Sequence, residues 1–270
     1  MPRYAALLAR TVRPYALHLS LLVYTPALLF VDGTTDGVEP QIALGLLTFG
    51  VLWAASRRVE SARRWEVWLC VPLATLFEVF GSLIWGGYTY ELRNIPLYVP
   101  PGHALVYVFG ITAAGLPVVR RHGRALRRLV MVAASGWVVA GLTVLPFLTG
   151  RLDVQGAIVW PLLAWCVLRS GKGDMFAAIW LAVATIEIAG TWAGDWVWAA
   201  SAPWSHLPSG NPPSAIAAGY AVIDGSVALL APLVLAVALR ARATLVAAPA
   251  RGVDSPSLRS SLVETYAPRT

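Results

Sequence analysis

Residues 78–103 read EVFGSLIWGGYTYELRNIPLYVPPGH. A glutamate opens a mostly apolar run, glycines and tyrosines interrupt it, and a Pro-Pro pair closes it. The chain repeats this plan with EIAGTWAGDWVW at 187–198 and LPSGNPPS at 207–214. Glu78, Gly81 and Ser82 match Glu187, Gly190 and Thr191. After a one-residue gap, Tyr88 and Tyr90 match Trp196 and Trp198. Pro96, Pro100 and Pro101 then match Pro208, Pro212 and Pro213 at identical internal spacing. Whether these segments cross a membrane decides the fold.

Composition answers that question. The chain is 57% hydrophobic and 13% charged, with mean hydropathy +0.65. Soluble domains carry about 25% charged residues. The apolar residues also come in blocks of about 16–25, the length that crosses a hydrocarbon core of roughly 30 Å. A multi-pass membrane protein is expected, all-α, in the cell's inner (plasma) membrane.

The net charge of +7 points to lipid rather than nucleic acid because of where it falls. Arg57, Arg58, Arg63 and Arg64 form one cluster between apolar blocks; Arg120, Arg121, Arg124, Arg127 and Arg128 form another. Cytoplasmic loops facing anionic headgroups have this pattern. Arginines also precede the first apolar run, but no small-x-small cleavage site follows it, so that run reads as an anchor. Cys70 and Cys166 lie inside apolar blocks and read as small buried hydrophobes.

The apolar blocks are roughly 15–31, 41–56, 66–90, 103–119, 129–148, 155–168, 175–200 and 214–239. Basic residues precede the first block and follow the second, fourth, sixth and eighth. The segments after the first, third, fifth and seventh are acidic or nearly free of basic residues. The positive-inside rule then gives eight transmembrane helices with both termini cytoplasmic. The repeated segments fall in passes three to four and seven to eight. This arrangement predicts two parallel four-helix repeats, at 1–128 and 129–240, related by an axis along the membrane normal. Residues 241–270 return to ordinary polarity and read as a disordered cytoplasmic tail.

Glu78 and Glu187 lie about 12 residues from the outer ends of their helices, so about 18 Å deep at 1.5 Å per residue. Ionisable groups in spans usually face a bundle interior. A glycine and a hydroxyl residue follow each glutamate at i+3 and i+4, on the same face; Gly190 and Gly194 extend that face as a close-packing pair. Asp224, inside the last block, is a third buried acid. Glu78, Glu187 and Asp224 are therefore the candidate proton donors or acceptors. Trp85, Tyr88, Tyr90, Trp192, Asp195 and Trp196 are candidates to line a substrate pocket, whose ring faces would stabilise a developing cation. Asp195 and His103 sit nearer the surface, where solvated polar residues are expected. The double prolines read as rigid outer turns, with Asn211 and Ser214 as possible caps.

His18, His103, His122 and His206 form no metal-ligand pattern, and neither a phosphate loop nor a nucleophile elbow is present. The residues imply no metal and no cofactor. The expected partner is a membrane lipid or apolar small molecule, and the oligomeric state is left open.

Glu78, Gly81, Gly86, Tyr88, Tyr90, Pro96 and Pro100 together resemble a segment of bacterial membrane carotenoid hydratases, multi-pass proteins that act on polyenes by protonation. The likeness covers about one tenth of the chain; its Pro-Pro-Gly-His ending and second copy depart from the pattern. It implies an acid role for Glu78. Residues and resemblance lead to the same expectation, a membrane enzyme performing cyclisation or hydration of an isoprenoid or other apolar lipid. A proton-coupled carrier and a non-catalytic scaffold are the alternatives.

Overall fold

The computed structural model describes residues 11–247. It is a helical bundle with one two-stranded sheet among the described residues. Helix α1 spans Ala16–Asp32 and α2 spans Val38–Ser56. Helix α3, Arg64–Glu78, continues as a π-helical stretch over Val79–Ile84. Strand β1 is Tyr88–Tyr90, followed by α4, Val99–Ala113. Then come α5, Pro117–Thr143, the short α6, Leu145–Thr149, and α7, Val154–Leu168. Helix α8 is Gly173–Ala193, β2 is Trp196–Trp198 and α9 is Ala217–Ala247.

Among the described residues, six helices are long and apolar enough to cross a membrane: Arg13–Asp32, Val38–Ser56, Ser61–Ile84, Pro117–Thr143, Gly173–Ala193 and Ala217–Ala241. Their exteriors carry Leu46, Leu76, Val132, Leu181 and Leu229, all exposed, as lipid-facing helices require. The apolar helices α4 and α7 are shorter, at 15 residues each. That is about 22 Å of rise.

Helix α4 is short because the protein, not lipid, surrounds it. Twelve of its fifteen residues are buried, and it packs on α1, α2, α3 and α8. A β-carbon at Gly110 would lie 2.6 Å from Ile179, so glycine there lets α4 and α8 approach closely. These two helices form the centre of the core.

Three expectations change. The helices of blocks three and seven stop early: Gly86 (φ 72°) and Gly194 (φ 89°) adopt the left-handed conformation, which glycine takes without steric cost. The chain then extends into β1 and β2, whose residue types favour strands. Second, α5 begins at Pro117, so the second arginine cluster lies on a helix bent at His122. The expected boundary at 128/129 falls inside that helix. Arg127 pairs with Asp174 at 3.1 Å. Third, residues 241–247 continue α9 rather than opening the tail. Residues 248–270 lie outside the described residues, as do Arg3 and Arg10.

The chain divides into two compact units at Leu229/Leu230. The first contains every feature considered below. In the second, the described residues are the apolar continuation of α9.

Candidate functional site

The two strands pair antiparallel, Tyr88 with Trp198, Thr89 with Val197 and Tyr90 with Trp196. Alternation along each strand turns Tyr88, Tyr90, Trp196 and Trp198 inward, while Thr89 and Val197 are exposed. Inward, each pair meets its own glutamate. Glu78 Oε2 accepts from the Tyr88 hydroxyl at 2.8 Å and the Tyr90 hydroxyl at 2.7 Å. Glu187 Oε2 accepts from the indole N–H of Trp196 at 3.2 Å and of Trp198 at 3.1 Å.

The repeated glycines serve these rings. A methyl group at Gly81 would lie 2.8 Å from the Tyr88 hydroxyl, and one at Gly190 would overlap the Trp196 indole. The i+3 glycine is thus a floor for the first aromatic of the strand, not the helix-packing face expected from the sequence. The hydroxyl of Thr191 bonds back to the Glu187 carbonyl at 2.7 Å and stays outside the site.

The second oxygens differ. Glu78 Oε1 faces His103 Nε2 at 3.3 Å, whereas Glu187 Oε1 accepts from the Tyr220 hydroxyl at 3.1 Å. The His103 and Tyr220 rings stack at 4.6 Å, 8° from parallel. His103 Nδ1 lies 3.1 Å from the Val99 carbonyl, which can only accept, so Nδ1 carries a hydrogen. Nε2 then either carries a second proton toward a carboxylate or receives one from a carboxylic acid. His103 Nε2 and Glu78 Oε1 are thus placed to pass a proton between them.

Glu187 has no such partner. Two of its three donors are indoles, which cannot accept a hydrogen bond. Glu187 is thus met by neutral donors only, whereas Glu78 also faces an imidazole.

Both carboxylates, only 5% and 3% exposed, form part of the wall of a cavity of about 260 Å³. Tyr24, Trp85 and Tyr98 add rings to the wall, and Leu28, Phe77, Phe80 and Ile223 supply apolar surface. The volume falls just below the roughly 300–1,000 Å³ of small-molecule sites. It suits a compact ligand or the end of a longer chain.

A loop over residues 199–216 closes this end of the bundle. Asp153 receives the backbone N–H of Gly156 at 2.9 Å, of Gly210 at 3.1 Å and of Ser214 at 2.7 Å. It thereby caps α7 and pins the Pro-Pro turn in one action. Asn211 accepts from the Trp198 N–H at 2.9 Å, and Trp85 donates to the Pro203 carbonyl at 3.1 Å. Asn211 and Ser214 therefore clasp strand and loop instead of capping α9.

Of the expected site residues, Glu78, Glu187, Trp85, Tyr88, Tyr90 and Trp196 meet at the cavity. Trp192 does not: it is 77% exposed on the outside of α8. Asp224 is 3% exposed, with Oδ2 unpartnered, and its carboxyl neighbours Cys70, away from the cavity wall. Asp195 is also off the wall. It is buried rather than solvated, at 1% exposure, with both carboxyl oxygens unpartnered. Burial, then the carboxylates of Asp32 and Glu91, raise its pKa to about 8. Asp32 itself accepts from Tyr98 at 2.6 Å and Gln41 at 3.2 Å.

His103, expected near the surface, is buried at the centre of the site. Sequence reasoning missed Tyr220 and Asp153 altogether. Tyr220 left one signal, a phenol one turn before Asp224 in an otherwise apolar helix.

No protein-family model, no curated protein and no solved structure matches this chain. Its function is read from the geometry.

Proposed function

We propose that the chain is a multi-pass membrane enzyme that protonates an unsaturated apolar lipid, of isoprenoid type, in the cavity between α3, α4, α8 and α9. The observation that carries this reading is the pairing of Glu78 Oε1 with His103 Nε2 at 3.3 Å on the wall of an aromatic, apolar pocket. The pair gives its proton to one carbon of a C=C bond, and the positive charge forms on the neighbouring carbon. The ring faces and the carboxyl group of Glu187 stabilise that cation. Attack by a second double bond and loss of a C–H proton to the pair gives a cyclised product. Addition of water and loss of its proton gives a hydrated one. In both routes the pair ends with the proton it began with.

The alternating arginine clusters and the symmetric strand pairing support a finer reading: eight passes in two parallel halves, both termini cytoplasmic, in the inner membrane. On that reading the strand end of the bundle is the outer end.

A scaffold role is favoured by one observation, that each glutamate takes two donors from the strand following its own helix and so ties helix to strand. The two readings separate in cells supplied with isoprenoid lipids. Extraction and mass spectrometry should find a cyclised or hydrated product with the unaltered chain and none with Glu78→Gln, the folded protein remaining abundant. Equal product from Glu78→Gln, or no product from either, would sink the enzyme reading.

A further inference from the structure

The charge balance of the cavity narrows what it accepts. The wall sets the carboxyl groups of Glu78 and Glu187 against a single imidazole, His103. Among the described residues, no lysine or arginine lines the wall. The Arg151 guanidinium binds the Trp198 carbonyl at 2.6 Å, on the backbone of β2. The rings add to the same sign, because an aromatic face is the negative end of its quadrupole and attracts cations within about 6 Å. Tyr88 and Trp198 lie 4.6 Å apart, centre to centre, and Tyr90 and Trp196 6.1 Å apart. Both pairs hang from the strands above the carboxylates.

We propose that this cavity selects a lipophilic cation over its uncharged isostere and excludes phosphorylated lipids. The inference rests on the enzyme reading for its consequence: the substrate is an uncharged polyene, not a prenyl diphosphate, and the state bound most tightly is the cation formed from it. A diphosphate would bring two or more negative charges beside the Glu187 carboxyl group in an apolar setting, with no lysine or arginine on the wall to receive them. An ammonium would meet that carboxylate and the ring faces together.

The test uses the purified full chain in detergent and three probes sharing one hydrocarbon chain: geranyldimethylamine, geraniol and geranyl diphosphate. Binding is read from the fluorescence of Trp196 and Trp198. The amine should bind at least about tenfold more tightly than the alcohol, and the diphosphate should give no saturable change. Glu187→Gln should bring the amine-to-alcohol ratio to about one. Diphosphate binding equal to that of geraniol overturns the proposal, as does an unchanged ratio in a folded Glu187→Gln variant. The three probes on the unaltered chain decide the matter even where that variant does not fold. Selective binding without any turnover would leave this inference standing and remove the enzyme reading. Turnover of a diphosphate would do the reverse.

Discussion

His103 and Tyr220 stack face to face at 4.6 Å, and each directs its polar atom to a different glutamate. The imidazole reaches Glu78 and the phenol reaches Glu187. The stack sets the two carboxylates on either side of one cavity and gives them unlike partners.

His103→Phe keeps a ring on Tyr220 and removes the proton partner of Glu78. Loss of a general acid of this kind costs about 10²–10⁴ in rate. Product formation, measured by mass spectrometry on protein shown to be folded, should fall by that factor. A rate within threefold of the original would detach His103 from the chemistry.

Tyr88→Phe and Tyr90→Phe each remove one hydrogen bond from a buried carboxylate. The expected loss is about 1–3 kcal/mol for each, and more at Tyr90, which is fully buried where Tyr88 is half-buried. Thermal midpoints in detergent report it. Unchanged midpoints in both variants would mean that water replaces the phenols.

Gly81→Ala and Gly190→Ala test the floor beneath the rings. Overpacking costs about 1–3 kcal/mol, and the Gly190 change should be the worse, since its methyl would overlap an indole. Gly190→Ala should also shift the tryptophan emission maximum as Trp196 moves. Native stability together with native emission would contradict the assignment.

Asp195 gives the protein a pH dependence. Its carboxyl titrates near 3.8 in an ordinary setting and at about 8 when folded. Below the lower value both states hold the proton and neither is favoured. Between the two, unfolded chains lose a proton that folded chains retain, so rising pH draws the equilibrium toward unfolding. Above about 8 the penalty is constant. Stability in detergent should therefore decline between about pH 4 and 8, and Asp195→Asn should flatten that decline. An identical slope in the variant would assign it elsewhere.

Asp153→Ala removes the cap of α7 and leaves the N–H groups of Gly210 and Ser214 without their acceptor. A lost cap costs about 0.5–2 kcal/mol, and each orphaned buried donor about 1–3 kcal/mol. Limited proteolysis should cut the variant within 199–216 before the unaltered chain. Equal resistance would show the loop to be held by other contacts.

Hydropathy carried most of the fold. Each apolar block holds an apolar helix, because burial and lipid solvation both act on runs of side chains. It could not show that α4 is walled in by protein, since a core helix and a membrane helix look alike over 15 residues. The repeat carried the site: Glu78 with its two tyrosines and Glu187 with its two tryptophans are local in sequence. What it concealed was the alternation itself. Gly-Gly-Tyr-Thr-Tyr and Gly-Asp-Trp-Val-Trp have a period of two after a left-handed glycine, a strand signal inside what reads as an apolar helix. His103, Tyr220 and Asp153 act across the bundle on residues far away in sequence, and no spacing rule reveals them.

A rotation of half a turn about an axis midway between Thr89 and Val197, normal to the sheet, carries each strand's backbone onto the other. The backbone pairing is indifferent to which strand is which; the side chains are not. Phenols face Glu78 and indoles face Glu187, and one layer behind them an imidazole on α4 and a phenol on α9 add to the contrast. Which side of a bound molecule meets which carboxyl group is thus written in side chains alone, on a scaffold blind to the difference.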